Sequence, residues 1–535
     1  MKNRVVYIFG LTILIFGIFT GIQIQKAIST DNFQEQLRKF NDVLSLTRKY
    51  YVDDVDTQKL VEAAINGLLS ELDPHSVYIP PKQLEQVEEE FRGNFEGIGI
   101  EFQIINDTIV VVSAIPGGPS EALGITAGDR IIKINGEPYK KITNEEVRKK
   151  LRGPKGTKVD VTIYRPSIKE FMDFTIVRDK IPLYSVDAAV MIDDKTGYIS
   201  LSRFAQTTFD EIKAAMDSLD KMGMERLILD LRNNSGGYMS EAVKISDLFL
   251  DQGKMIVYTK SRIPEFEEEY RAVRPFKYEK LPVIILVNNG SASASEIVSG
   301  AIQDWDRGLI VGERTFGKGL VQRQFTLNDN SALRLTISRY YTPVGRLIQR
   351  DYSKKDKIDY YRESVDQDTI EGENIEHTLE KDTTKPVYVT PKGRKVFGGG
   401  GITPDYIVKS PPLTKFTSSL LRKNLFYQYI LNYLDKNGKS IQNKYKNWKM
   451  FNKDFQVDEA LLNDFLSYSK KQNVEFNKEE FEKDKDYIKA RLKAQIARNY
   501  WRNDGWFPVL LEIDPQFKKA ISLFPEAEKF AKSKP

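Results

Sequence analysis

The chain contains no cysteine in 535 residues and only two histidines, His75 and His377. The first absence excludes disulfides, thiolate metal sites and a cysteine nucleophile together. The second leaves little material for a histidine-rich metal site, and neither a metal nor a cofactor is expected. Any Ser–His machinery would have to use one of those two residues. An excess of one charge is also missing: 80 basic residues face 75 acidic ones, a net +5. Nucleic-acid-binding domains are usually far more basic, so no nucleic-acid partner is expected. The apolar share, 41%, is enough for proper cores. The length suits about three or four domains of roughly 150 residues.

The N-terminus carries Lys2 and Arg4, followed by an almost wholly apolar run from Val5 to Ile22. A charged start before an apolar stretch is an export signal. This run is longer than most signal cores and just long enough to span a bilayer. Gln23, Gln25 and Lys26 follow instead of a small-residue cleavage site. The expectation is an uncleaved signal-anchor over residues 1–26, with the basic end inside and the body outside. A cleaved signal peptide is the alternative.

Residues 31–92 show helical spacing. Phe33, Leu37, Phe40 and Leu44 mark one face, and Leu60, Val61, Ala64, Ile65, Leu68 and Leu69 another. Leu72-Asp73-Pro74-His75-Ser76 and Pro80-Pro81 break that pattern. Residues 93–180 read as a small β domain, with short strands, an Asn135-Gly136 turn and a helix capped by Thr143 and Glu146. From 181 to 410 strands and helices alternate, and Leu227–Leu231 and Val283–Val287 are the continuous apolar runs of buried parallel strands. That argues an α/β core. Residues 353–385 are polar and suggest a surface insertion. The last segment, 411–535, reads as a helical extension with no chemistry of its own.

Three stretches carry chemistry. Ser293 stands where the strand Val283–Val287 gives way to helical spacing through Ala294, Ile297, Val298 and Ala301. A hydroxyl there meets free N–H groups and the positive end of a helix. Ser293-x-x-Glu296 is equally a capping box, the plainer reading. Gly312–Gly319 nearly spells a phosphate loop, but Gly319 replaces the metal-binding hydroxyl and a strand pattern follows instead of a helix, so an NTPase fails. A Lys318 flanked by glycines can be stripped of water and lose its charge, making a base for a serine. A surface lysine in a glycine turn is the plain alternative. Gly236 and Gly237, after the strand at 227–231, offer donors for half of an oxyanion hole, or form an ordinary βα turn.

Taken in order, these stretches resemble the C-terminal processing (tail-specific) peptidases over roughly residues 40–410. The resemblance rests on Leu72–Ser76, the 93–180 segment, Arg232–Gly237, the Ser293 segment, Thr315–Gly319 and Gly401-Ile402-Thr403-Pro404-Asp405. It implies a multidomain α+β chain with a helical N-terminal segment (31–92), a PDZ-like domain (93–180), a crotonase/Clp-like α/β core (181–410) and a helical extension. It implies Ser293 as nucleophile, with Ser291 and Ser295 excluded, Lys318 as base and Gln322 as its orienting partner. The oxyanion donors fall on the N–H groups of Ala294 and of the glycine pair, Gly237 more than Gly236. Asp304 is implied to be structural.

The loop Gly97-Ile98-Gly99-Ile100 resembles a PDZ carboxylate loop, with Val147 and Leu151 lining the side-chain pocket. The partners implied are exported proteins with free, apolar C-termini, and the location is the bacterial inner membrane facing the periplasm. An adaptor lipoprotein and further copies of the chain stay open as partners. The rival reading is a catalytically silent PDZ scaffold that binds protein tails at the membrane. It would need a lost Ser293 or Lys318, and both are present.

Overall fold

The computed structural model describes residue 17 and residues 32–139, 141–353, 355, 357–362, 371–375 and 385–532. The expected membrane segment, apart from Gly17, and His377 lie outside these residues. Among the described residues no helix is long and apolar enough to cross a membrane.

The chain divides into two units, 1–72 and 73–535. The first holds the helices Phe33–Tyr50 and Thr57–Ser70. Asp56 caps the second by accepting the Lys59 N–H. The apolar face expected from Phe33, Leu37 and Phe40 is exposed. Of the second expected face, Leu69 is buried and Leu68 is not.

The second unit opens with a turn built on one carboxylate. Asp73 accepts the N–H groups of His75 and Ser76 at 2.8 Å each and the Ser76 hydroxyl at 2.6 Å. The strand Val77–Ile79 then pairs antiparallel with Ala332–Tyr341. A helix, Pro81–Arg92, starts on proline and ends on left-handed Gly93, the usual asymmetry of helix ends. Asn94–Gly97 pairs with Asp179–Pro182, so the PDZ segment leaves and rejoins the core as a two-stranded stem.

Within the PDZ segment five strands run in the order Ile100–Ile105, Thr108–Ala114, Arg130–Ile134, Lys158–Arg165, Glu170–Val177. The first is an edge. The helix Asn144–Leu151 has the expected capping box: the Thr143 hydroxyl accepts the Glu146 N–H, and the Glu146 carboxylate accepts the Thr143 N–H.

The core sheet has a parallel centre, Thr196–Leu201, Arg226–Asp230, Val283–Val287, Leu309–Gly312 and Tyr406–Ile407, with Val186–Met191 antiparallel at one edge. Alternate residues point to opposite faces. Ile199, Leu227, Leu229, Ile285 and Ile310 pack with the helices Thr208–Lys221, Met239–Asp247 and Ala294–Asp304. Tyr198, Ile228, Ile284, Leu286 and Val311 form a second core with Phe517, Ala520, Phe524 and Ala527. Parallel strands need cover on both faces, and here the second cover comes from the chain's last helices, Pro515–Ser522 and Phe524–Lys532. The end of the extension is thus part of the α/β core. Its other half, from Lys415 to about the kink at Trp501 and Arg502, has its own core around Phe426, Phe451 and Phe465.

Phe524 is fully buried under the sheet. Phe524→Ala should destabilise the protein by about 3–5 kcal/mol, the usual cost of emptying a buried aromatic site. Thermal unfolding followed by circular dichroism should show the same loss, and an α/β core that melts unchanged would refute the assigned role of these helices.

Candidate active site

The strand Val283–Val287 delivers the chain to a sharp elbow at Ser293, whose backbone sits at φ 56, ψ −111. A non-glycine residue there costs about 1–3 kcal/mol and persists only when its neighbours over-determine it. They do so here. The Ser293 N–H donates to Glu296 Oε2 at 2.8 Å, and the Ser293 carbonyl accepts from Glu296 N, Ile297 N and the Tyr340 hydroxyl. Ser293 and Glu296 keep the capping-box arrangement expected from the sequence, but the Glu296 N–H is bonded to the Ser293 carbonyl and the Ser293 hydroxyl makes no full hydrogen bond among the described residues. The flanking serines have other work. Ser291 Oγ donates to the Leu231 carbonyl and Ser295 Oγ to the Asn234 carbonyl, both at 2.8 Å and both side chains fully buried. They staple the elbow to the 231–234 loop.

Glu296 is completely buried. Besides Ser293 N–H, its carboxylate accepts the Thr315 hydroxyl at 2.6 Å, Gly317 N–H at 2.7 Å and Lys318 N–H at 2.9 Å. Burial raises its pKa, and these four bonds oppose the rise without cancelling it. Four donors fill the four lone-pair positions of an ionised carboxylate and leave no place for a proton. This one group therefore fixes both the serine elbow and the lysine loop. From sequence Glu296 showed only as a cap, because its other partners lie about twenty residues further on.

The Lys318 loop is also pinned by Phe316 N–H on the Ser291 carbonyl at 2.9 Å and Gly319 N–H on Gln349 Oε1 at 2.8 Å. A Cβ on Gly319 would lie 2.9 Å from the Gln349 nitrogen, so only glycine fits. Lys318 Nζ donates to Gln322 Oε1 at 2.8 Å, and Gln322 Nε2 donates to the His75 carbonyl. No carboxylate pairs with the amine among the described residues. Burial lowers the Lys318 pKa to about 8, the Arg334 guanidinium adding to the effect while Glu296 and Asp73 oppose it.

His75 follows the N-terminal helix in sequence but lies beside the lysine, brought there by the pairing of Val77–Ile79 with the core. Its ring meets the Tyr360 hydroxyl at 3.0 Å, and burial and Lys318 lower its pKa to about 4, so it stays uncharged at neutral pH. The proximity of this turn to the site was missed from sequence.

The glycine pair divides its roles. Gly236 (φ 99) packs against the elbow: a Cβ there would be 2.7 Å from the Ala292 carbonyl oxygen and 2.8 Å from Ser293 Cβ. Its N–H is taken by Asn234 Oδ1 at 2.9 Å. Gly237 (φ 148) has no room for a Cβ against Phe204. The N–H groups of Gly237 and Ala294 have no acceptor among the described residues. Ser293, Lys318, Gln322, Gly236 and Gly237 all border one open cleft of about 980 Å³, with Phe91, Arg203, Tyr238 and Arg334 among its walls. Asp304 lies away from it, in a fully buried pair with Arg346.

In the PDZ domain, Ile98, Gly99, Ile100 and Leu151 border a second cavity of about 540 Å³. The N–H groups of Ile98 and Gly99 have no acceptor among the described residues. Gly97 instead belongs to the stem, paired with Asp179. Val147 is fully buried in the domain core, and the helix presents Asn144, Arg148 and Leu151 to the cavity.

Comparison with family models agrees with this layout. Residues 195–358 match peptidase family S41, 86–164 match the PDZ domain, and 20–82 match the N-terminal domain of the activating protease CtpB. Residues 416–503 match a family of unknown function (DUF8443). The carboxy-terminal-processing protease of Bartonella bacilliformis is 40% identical over 343 residues, 62% of this chain and 78% of that protein. Carboxy-terminal processing protease CtpA of Bacillus subtilis is 36% identical over 342 residues, 64% of this chain and 72% of its own length. Among solved structures, the photosystem II D1 C-terminal processing protease is 31% identical, covering 56% of this chain and 82% of its own, at a TM-score of 0.32.

The α/β core, its cleft and the attached PDZ domain define a serine peptidase. Within that class, the chain belongs to the C-terminal processing peptidases of family S41.

Glu296→Gln keeps the size of the clamp but replaces one acceptor oxygen with an NH₂ that faces N–H donors. The loss should be roughly 2–4 kcal/mol, that of broken charge-assisted bonds plus a stranded buried donor. A drop in the unfolding midpoint together with loss of hydrolysis is expected. An unchanged midpoint would show that the carboxylate does not hold the two segments.

Proposed function

We propose that Ser293 and Lys318 form the catalytic dyad, that Gln322 orients the lysine, and that the PDZ domain captures the substrate's C-terminus. The observation that carries this reading is the state of Lys318. Its amine is desolvated, shares a cleft with an unpartnered serine hydroxyl, and is held by a neutral amide rather than a carboxylate. A lysine in water has a pKa near about 10.4 and only about one in 10³ is neutral at pH 7. A pKa of about 8 raises the neutral share to roughly a tenth.

The neutral amine takes the Ser293 hydroxyl proton as Oγ bonds to the scissile carbonyl carbon. The carbonyl oxygen becomes an oxyanion within reach of the free Gly237 and Ala294 N–H groups, and such donors are worth about 10²–10³ each in rate. Lysine then gives the proton to the departing amine, the C–N bond breaks, and water hydrolyses the acyl-enzyme by the same proton path. Gln322 contributes direction without charge. A carboxylate at that place would hold the lysine protonated. Gly237 is the better donor because the Gly236 N–H is already committed to Asn234.

The free N–H groups of Ile98 and Gly99 and the edge strand Ile100–Ile105 suit a peptide that adds as a strand with its carboxylate in the loop. The substrates on this reading are exported proteins with apolar C-termini. Export and anchoring rest on Lys2, Arg4 and the Val5–Ile22 run, and place the peptidase in the bacterial cell envelope. An adaptor lipoprotein or a homo-oligomer would be compatible additions.

Ser293→Ala should abolish hydrolysis of a peptide with a free apolar C-terminus while leaving circular dichroism unchanged. An acylating probe should label Ser293 alone, and labelling of Ser291 or Ser295 would overturn the assignment.

The pH profile tests the base. Below about 8 the lysine carries its proton and cannot act, so kcat/KM should climb as pH rises through that value. Gln322→Glu should push the rising limb to higher pH. Lys318→Arg should lose at least about 10²–10⁴-fold, the usual contribution of a general base, since guanidinium does not deprotonate. Near-normal turnover in folded Lys318→Arg would remove Lys318 from the mechanism.

A further inference from the structure

One wall residue of the PDZ cavity does not belong to the PDZ domain. Asn424 comes from the helical extension, between the helices Lys415–Arg422 and Leu425–Lys444. Its backbone is left-handed (φ 54, ψ 34), a conformation asparagine tolerates better than most residues. Asn424 Nδ2 donates to Gln103 Oε1 on the edge strand. The placement is held by several independent contacts. Arg130 pairs with Asp435 at 2.7 Å, Arg498 with Glu101 at 3.1 Å and Arg502 with Glu121 at 2.5 Å. Val110 and Val112 bury against Tyr427 and Leu431.

We propose that the extension completes the tail-binding groove, and that Gln103 and Asn424 together read the substrate side chain three residues before its C-terminus. The proposal rests on the reading of this groove as the tail site. The edge strand alternates without interruption: Ile100, Phe102 and Ile104 turn to the PDZ core, whereas Glu101 and Gln103 meet the extension. The one register shift against its neighbour leaves the extra residue on Thr108–Ala114, not on the edge strand. A peptide whose carboxylate sits on the Ile98–Ile100 N–H groups lies antiparallel, with its last residue opposite Ile100. Counting along the strand sets the residue three before the last opposite Gln103, and residues opposite one another share a face. Its side chain therefore points to Asn424, while the last residue points to the apolar pocket at Leu151.

The chemistry there is a pair of carboxamides. Asn424 Oδ1 and Gln103 Nε2 have no partner among the described residues, so a carbonyl oxygen and an NH₂ group remain for a ligand. A neutral hydrogen-bonding residue such as Gln fits; Leu would leave both groups unpaired.

The test uses the full-length chain carrying Ser293→Ala, and fluorescent peptides that share apolar last residues but carry Gln or Leu three before the end. Anisotropy should show the Gln peptide bound about three- to tenfold tighter, the worth of one net hydrogen bond. Asn424→Gly, which keeps the left-handed backbone, and Gln103→Ala should each bring the ratio to about one without weakening the Leu peptide. Asn424→Asp should shift the preference to Lys. If amidating the peptides abolishes binding but the ratio survives Asn424→Gly, this proposal falls and the tail-site reading stands. If amidated peptides bind as well as free ones, the tail-site reading falls and takes the proposal with it.

Discussion

The arrangement of the site depends on a single buried carboxylate. Glu296 collects one N–H from the serine elbow and two N–H groups and a hydroxyl from the Thr315–Lys318 loop. The two segments come from opposite ends of a helix–strand excursion, and a strained serine backbone would relax without an anchor. A charge at 0% exposure is costly unless every lone pair is used. Here all are used, so the cost of burial becomes a demand for one geometry. The same charge opposes the drop in the Lys318 pKa, behind burial and Arg334 in the order of causes. It faces the backbone N–H of Lys318 rather than its amine. The peptidase thus keeps an anion close enough to build the site without using it to neutralise the proposed base.

How much of this was legible follows from the range of the interactions. The strands at about 227–231 and at 283–287, the Thr143 capping box and the helix after Ser293 are written in local spacing, and the structure has them where the spacing puts them. Gly236 and Gly319 were visible as glycines, but the close approaches that require them were not. Val147 was placed in the pocket by the resemblance alone, which does not say which part of the helix meets the core. The closeness of His75 to the site is not written in local spacing, because it depends on the pairing of Val77–Ile79 with Ala332–Tyr341. The extension offered no motif, since its work is burial against a sheet and a domain placed hundreds of residues earlier.

That burial changes how the domains relate. Within the 73–535 unit the PDZ domain is tied to the core by the Asn94–Gly97 and Asp179–Pro182 stem and, independently, through the extension. Arg232, in the loop that carries the glycine pair, pairs with Asp230 and also with Asp514 and Gln516 at 2.6 and 2.9 Å. The helices that cover the sheet therefore also brace the loop beside the cleft. The kink at Trp501 and Arg502 divides the long helix between two tasks, with Arg502 reaching Glu121 of the PDZ domain at 2.5 Å.

The lysine's partner chain completes the logic. The Asp73 turn fixes the His75 carbonyl, that carbonyl orients the Gln322 amide, and the amide oxygen receives the Lys318 amine. Each link between the turn and the amine is a neutral dipole. A dipole can select one direction for a proton on nitrogen while adding little to the stability of the ammonium form, whereas a carboxylate would do both at once. Removing water from the amine, with the Arg334 guanidinium adding to the effect, then brings its pKa down to about 8. With no cysteine in the chain and a single described histidine that burial keeps uncharged, a desolvated lysine is the group in this cleft whose charge can change near neutral pH.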